Sequence, residues 1–344
     1  MSQLGTLDEL PQEYIASLEK NNLVPLWPNM RAVLPHGKPT RDTSTTVWGY
    51  QDVRPLLMRA GELTPMEKAE RRVLVLACPG HGLENMQATP SIYMGMQLIL
   101  PNETAPNHKH TPNAVRIIVE GEGATTIVNG EPCRMERGDL ILTPSGQWHE
   151  HTHAGRTPIV WLDVLDLPLI YYLESSWAID GEGSQTLHRT NDASDVEYSA
   201  AGVVPDMEGI QKNLKTPQLR FPWVRTQESL DKLAEQYSDR DYASVRYINP
   251  ETGASVFPTI GFGAIRIKAE AEVVLPQQTA GRIFHVIDGR GELRVGEGEL
   301  SQWVEKDTMV VPGYEKITFK NASKEAAYLI FADEMPLHNY LGVY

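Results

Sequence analysis

Cysteine is nearly missing from this chain: Cys78 and Cys133 are the only two among 344 residues. Two cysteines make no disulfide framework, and their spacing is not that of a CxxC zinc site, so a reducing cytoplasm is expected. Long apolar runs are also missing. Nothing approaches the ~18 residues of a membrane span, and residues 1–10 lack the basic and apolar regions of a secretion signal. Positive charge is the scarce sign, with 31 Lys and Arg against 45 Asp and Glu and a net charge of -14. That balance argues against a nucleic-acid partner, whose phosphates are held by clustered cations. An anionic ligand must then meet a local cationic pocket, so individual arginines carry more information than the total.

What remains is the composition of an ordinary globular protein, 41% hydrophobic and 22% charged, at a length that favours two domains over one. Thr6 and Glu9 have capping-box spacing ahead of a helix expected over Pro11–Leu18, and Thr64-Pro65-Met66-Glu67 predicts a short helix with Pro65 at its first position. From Arg72 to about Leu167 the pattern turns to short β-rich runs separated by Gly, Pro and Asn, which predicts an all-β antiparallel sandwich or barrel. Residues 174–217 are polar and turn-rich, a helix is expected near Gln227–Gln236, and β runs resume after Asn249. The second β block repeats the first. Ile118-Val-Glu-Gly-Glu-Gly123 lines up with Val286-Ile-Asp-Gly-Arg-Gly291, and Ile141–Pro144 with Met309–Pro312, both at an offset of 168 residues, as an internal duplication requires.

His108 and His110 stand two apart and share one strand face, so both imidazoles can converge on one ion inside a barrel. A third histidine, His149, closes the ordered run Gly138-Asp-Leu-Ile-Leu-Thr-Pro144-Ser-Gly146-Gln-Trp-His149. These segments resemble the two motifs of the cupin superfamily, HxH(x)3E(x)6G and G(x)5PxG(x)2H, with every spacing matched. The departure is Ala114 where the motif has glutamate. Three neutral imidazoles without a carboxylate leave a divalent metal its full charge, which favours an anionic, chelating ligand such as a salicylate-like acid. By ligand type alone the metal could be Fe, Zn, Cu or Ni; Fe(II) follows only if dioxygen is activated, because Zn has no redox chemistry.

The segment from about Leu56 to Asp180 is similar to gentisate 1,2-dioxygenases and their relatives acting on salicylate and 1-hydroxy-2-naphthoate. The similarity is carried by residues 69–76, Asn107–Arg116, Pro144–His151 and Trp161–Asp163. It implies a bicupin of two double-stranded β-helix (jelly-roll) barrels, ferrous iron, a homotetramer, and insertion of both atoms of O2 between the carboxyl-bearing and hydroxyl-bearing ring carbons. Gentisate would give maleylpyruvate. The expected division is a helical and irregular segment at 1–70, a metal-holding barrel at 71–175, a linker with a helix at 176–245 and a second barrel at 246–344. Pro276, Gln278, Arg282 and Ile317 fall at the ligand positions of the second repeat, so that barrel is expected to hold no metal.

Around the triad, Arg116 lies two residues beyond Ala114 on the same face and can clamp a substrate carboxylate; its bland reading is a surface ion pair. Tyr93, Gly95 and Gln97 share one strand face, offering an aromatic wall, open space for a planar ring and an amide, or merely a core aromatic beside a bulge. His151 is expected to bond the substrate phenol as acid, base or donor, with His153 structural. Asp163 could hold a distal ring hydroxyl or orient His151. Arg72 is assigned to the substrate in preference to Arg71 by the family resemblance alone. The rivals are a non-catalytic metabolite-binding bicupin and a redox-inert zinc enzyme.

Overall fold

Glycine- and proline-punctuated β runs pair into four antiparallel sheets in the computed structural model, which describes residues 4–208, 213 and 215–343. Residues up to Asp42 form one unit and those from Thr43 another. The first unit holds α1 (Gln12–Lys20) and α2 (Leu26–Val33). Its capping box is real, with Thr6 N donating to Glu9 Oε2 at 2.9 Å, but it closes a 3-10 turn at Leu7–Glu9 and not the helix. Leu10 precedes Pro11 and is held extended at ψ 142°, as the proline ring requires, so the helix restarts at Gln12.

The second unit opens with β1 (Thr46–Trp48), α3 (Tyr50–Leu63) and α4 (Met66–Ala69). Pro65, expected as the first helical residue of α4, is its N-cap instead, extended at ψ 159°. The first β block comprises β2 (Arg72–Val75), β3 (Tyr93–Ile99), β4 (Thr104–His110), β5 (Ala114–Glu120), β6 (Ala124–Val128), β7 (Glu131–Met135), β8 (Leu140–Thr143), β9 (His149–His153) and β10 (Ile159–Leu165). After α5 (Leu167–Tyr172), β11 (Ala178–Asp180), α6 (Ala193–Glu197), β12 (Arg220–Phe221) and α7 (Trp223–Gln236) comes the second block. It comprises β13 (Tyr242–Arg246), β14 (Gly261–Ile267), β15 (Glu272–Leu275), β16 (Arg282–Asp288), β17 (Arg290–Val295), β18 (Ser301–Val304), β19 (Thr308–Val311), β20 (Ile317–Asn321) and β21 (Ala327–Asp333), followed by α8 (Met335–Leu341).

Each block closes as a jelly-roll of two sheets. In the first, β12-β8-β5-β10-β3-β2 faces β11-β4-β9-β6-β7; in the second, β1-β19-β16-β21-β14-β13 faces β15-β20-β17-β18. The offset of 168 persists in three dimensions: β3, β5, β8, β9 and β10 become β14, β16, β19, β20 and β21, and the pairing Ala114↔Thr143 recurs as Arg282↔Val311. The central strands of each six-stranded sheet are buried on both faces, and alternation separates an inner from an outer set. Met94, Met96, Leu98, Val115 and Leu162 on the outer face share one core with Phe262, Ile283, Val310 and Ile330 of the second block, so the barrels sit back to back.

Two elements depart from the sequence-based reading. Strand β1, within a segment expected to be helical and irregular, adds an edge to the second barrel through Thr46↔Val310. The expected linker contributes β11 and β12 to the sheets of the first barrel. It is clamped by ion pairs whose carboxylates are buried: Arg220 donates from Nε to Asp139 Oδ2 at 2.7 Å, Arg189 pairs with Glu131 at 2.7 Å, and Arg134 with Asp192 at 2.5 Å. Residues 209–212 and 214 of that span lie outside the described residues. Among the described residues no helix is long and apolar enough to cross a membrane.

Candidate metal centre

The metal motif is assembled by hydrogen bonds of the backbone. His108 on β4 stands opposite His149 on β9. Gly146, at φ +72° where a side chain would be strained, donates its N–H to the carbonyl of His110 at 2.8 Å, tying the proline turn of the second motif to the strand of the first. Gly138 at φ +86° packs beneath Trp223, whose Cγ would lie 2.5 Å from an added Cβ.

The three imidazole rings face one another, with centroids 3.9 Å apart for His108 and His149, 4.7 Å for His110 and His149, and 5.5 Å for His108 and His110. One ring nitrogen from each lies within 4.8 Å of the others. Every Nδ1 is already engaged by a carbonyl: His108 with Pro106 at 2.9 Å, His110 with Pro112 at 2.8 Å, His149 with Gln147 at 3.0 Å. A carbonyl accepts only, so Nδ1 carries the proton and Nε2 keeps its lone pair for a metal. His149 Nε2 is buried with no partner. Burial lowers the pKa of His108 to about 3, helped by the charge of Arg71, and that of His110 to about 4, helped by Arg116. His149 is driven well below the ordinary histidine range, again chiefly by burial. All three are neutral donors, and the centre fits a metal ion.

The remaining interior is polar at few places. Arg116 on β5 faces Asp163 on β10, with Nε 3.5 Å from Oδ1, an ion pair without hydrogen-bond geometry, and it also donates to the Thr143 hydroxyl. Burial pushes the pKa of Asp163 up to about 6 against the opposing pull of Arg116. His151 engages Thr126 Oγ1 through Nδ1 at 3.0 Å and leaves Nε2 buried and unpartnered, its ring 5.0 Å from that of Trp161. Burial holds it far below the ordinary histidine range, so this imidazole is neutral too. Gln97 Nε2 is likewise buried and unpartnered. His153 lies outside this set, bonded to the Thr157 carbonyl at 2.6 Å.

Two expectations are corrected. Arg72 does not face the centre: it is opposite Leu98, pairs with Glu103 and donates to the carbonyl of Gly61 under α3. Val73 is opposite Gln97, so alternation places Arg71 on the interior side, and its charge is felt by His108, His110, His151 and Asp163. Sequence reasoning missed Arg71 because both faces of Arg71–Leu76 are apolar beyond the arginines, leaving no polarity signal. Gly95 does not open free space either. A Cβ there would lie 2.4 Å from Val73 Cγ1 and 2.6 Å from Tyr93 Oη, so the phenol of Tyr93 covers this glycine. Thr126 and Thr143 were also missed, since no motif marks them.

At the same offset of 168, the second barrel replaces this polar set with carbon. Ile265, Phe284, Ile317, Phe319 and Phe331 stand where Gln97, Arg116, His149, His151 and Asp163 do, and they fill its interior. Among the described residues, His108, His110 and His149 are the one cluster able to hold a metal.

Two back-to-back jelly-rolls with a histidine triad in one of them define a bicupin metalloprotein. Residues 95–165 match the cupin domain family. The chain is 53% identical to the gentisate 1,2-dioxygenase of Ralstonia sp over 99% of its own length and 96% of that protein, and 35% identical to gentisate 1,2-dioxygenase 1 of Aquipseudomonas alcaligenes over 94% and 92%. The crystal structure of salicylate 1,2-dioxygenase from Pseudoaminobacter salicylatoxidans as its adduct with gentisate superposes with a TM-score of 0.89 at 30% identity, covering 99% of this chain and 94% of that one. The chain belongs to the gentisate 1,2-dioxygenase family of ring-cleaving enzymes.

Proposed function

We propose that this enzyme opens the ring of gentisate, 2,5-dihydroxybenzoate, between the carbons bearing the carboxylate and the adjacent hydroxyl, consuming one O2 and giving maleylpyruvate. The observation that carries the reading is a buried triad of neutral histidines with Ala114 at the place of a fourth, anionic ligand and with Arg116 beside it. His108, His110 and His149 would hold ferrous iron. Bound there, iron supplies the binding of dioxygen and the path for electrons from ring to oxygen that the protein's own side chains lack.

The protein's part is to bind, orient and move a proton. Substrate carboxylate and phenol bring the negative charge that the ligand set omits. Arg116, already inside and only loosely paired with Asp163, is free to turn its guanidinium edge to the carboxylate, and Gln97 adds an amide donor. Arg71 adds a second positive charge on the same side. Neutral His151, oriented by Thr126, presents Nε2 to take the proton of the 2-hydroxyl. Asp163 and Tyr93 would bond the hydroxyl at the far side of the ring. A para hydroxyl makes gentisate easier to oxidise than salicylate, so gentisate asks least of the protein.

Salicylate and 1-hydroxy-2-naphthoate are the alternative substrates, since each offers the same carboxylate and ortho hydroxyl. An oxygen electrode compares the three with and without added Fe(II). Iron-dependent uptake fastest with gentisate is expected; no uptake with any of them defeats the reading. A homotetramer in the cytoplasm completes the proposal, supported by the family resemblance and by two cysteines that are both buried and unpaired.

A further inference from the structure

The second barrel lost its ligands but kept a mouth. A cavity of about 140 Å³ opens between β13 and the loop before β16, lined among others by Tyr242, Ser244, Arg246, Gln278, Arg282 and Phe331. Gln278 and Arg282 are the counterparts of His110 and Ala114, so the cavity lies where the first barrel has its metal centre. Two arginines border it, and their situations differ. Arg246 donates to Asp333 Oδ2 at 2.8 Å and lies 5.0 Å over the ring of Phe331. Arg282 is about nine-tenths buried, donates from one Nη to the carbonyl of Pro276 and has an Nε without any partner. Among the described residues no carboxylate lies within ion-pair distance of it. Desolvation lowers its pKa to about 10, so it still carries its charge at neutral pH.

Asp333 stands opposite Arg282 across the strands and attracts its charge, but Asp333 is bonded to Arg246. A buried guanidinium with no carboxylate in contact is costly, and a barrel interior already packed with phenylalanine could have taken an apolar residue there. We propose that this cavity binds a small monocarboxylate of about two to four carbons, one per chain, against Arg282. The charge count selects a monoanion: Arg246 is answered by Asp333, leaving one net positive charge, and the Asp333 carboxylate repels a second negative charge on the ligand. The carbon end finds Phe331, Ile265 and Leu275. Size excludes aromatic acids, because a void near 150 Å³ is filled by benzene alone, with no room for its carboxylate.

Equilibrium dialysis of radiolabelled propionate against the iron-loaded enzyme tests this, with Arg282→Gln and Ser244→Phe as variants. The second fills the cavity while keeping both arginines, so it serves if the first fails to fold. Propionate carried by the first barrel is common to all three proteins and cancels in the comparison. Expected are one propionate per wild-type chain in excess of either variant, at least tenfold weaker binding in each variant, and poor competition by phosphate and benzoate. Equal binding in wild type and variants overturns the proposal, as does the absence of saturable binding to wild type. Preferential displacement by phosphate overturns the choice of a carboxylate, and equal binding of benzoate overturns the size limit.

Discussion

Replacing Ala114 by glutamate tests whether the missing carboxylate is what lets an anionic substrate chelate. The geometry can be read from the second repeat, where Arg282 occupies this position at the head of β16 and reaches the carbonyl of Pro276, the counterpart of His108. A long side chain at 114 can therefore cross to the triad. Ala114 is buried at 1% exposure, so in metal-free protein the new carboxylate is desolvated. Asp163 sets the scale: its pKa of about 6 against 3.8 corresponds to ~3 kcal/mol disfavouring its ionised form. Ala114→Glu should thus destabilise the metal-free protein by ~2–3 kcal/mol at neutral pH, and divalent metal should restore most of it, because coordination answers the charge. A glutamate beside the three histidines would compete with the substrate's carboxylate and phenol for the metal these residues would hold, and would answer the charge that the substrate is expected to meet. Turnover of gentisate should fall by a factor of ~100 or more, equivalent to ~2.7 kcal/mol or more of transition-state stabilisation lost. Urea melts with and without Fe(II) and oxygen uptake read the two effects. A variant that binds iron and cleaves gentisate at the parental rate would refute the reasoning.

The neighbouring arginines should separate by phenotype. Arg71→Ala should raise KM for gentisate with little change in the urea midpoint, whereas Arg72→Ala, which strands Glu103, should lower stability by ~3 kcal/mol as for other buried pairs; the reverse pattern would put Arg72 at the substrate. His151→Ala should retain iron by metal analysis and lose ~100-fold or more in kcat, while His153→Gln should keep kcat. The raised pKa of Asp163 has a sign that can be measured. Folded protein binds its proton up to pH about 6 and unfolded chain only to about 3.8, so the associated stability is present below pH ~4 and is lost as pH rises through ~6, by up to ~1.4 kcal/mol per pH unit. The Asp163 contribution to the urea midpoint therefore falls with rising pH across that window, metal-free Asp163→Asn should lack that fall, and parallel profiles would assign the proton elsewhere.

How much was legible in the sequence depends on how locally each feature is encoded. The three ligands follow from spacing along two short segments, and the strand face shared by Tyr93, Gly95 and Gln97 follows from alternation, because both depend only on near neighbours in the chain. The duplication was legible for the same reason, as one constant offset. The neighbours across strands were not. Whether Arg71 or Arg72 turns inward depends on which of them falls in step with Gln97 on β3, and hydrogen bonding between segments about twenty residues apart decides that. The phenol of Tyr93 over Gly95, the hydroxyls of Thr126 and Thr143 behind His151 and Arg116, and the entry of β1 and β12 into distant sheets are contacts of the same kind.

By itself, then, the order of residues pointed to the candidate metal ligands, an all-β class and a duplicated plan through spacing, periodicity and one constant offset, and the family resemblance supplied the bicupin fold. Only the tertiary structure decided which arginine faces the histidine triad, which imidazole nitrogens are free, and that the second barrel keeps a buried guanidinium with no carboxylate in contact at its mouth. Those are matters of register and desolvation, and both arise only when segments far apart in the chain are packed against one another.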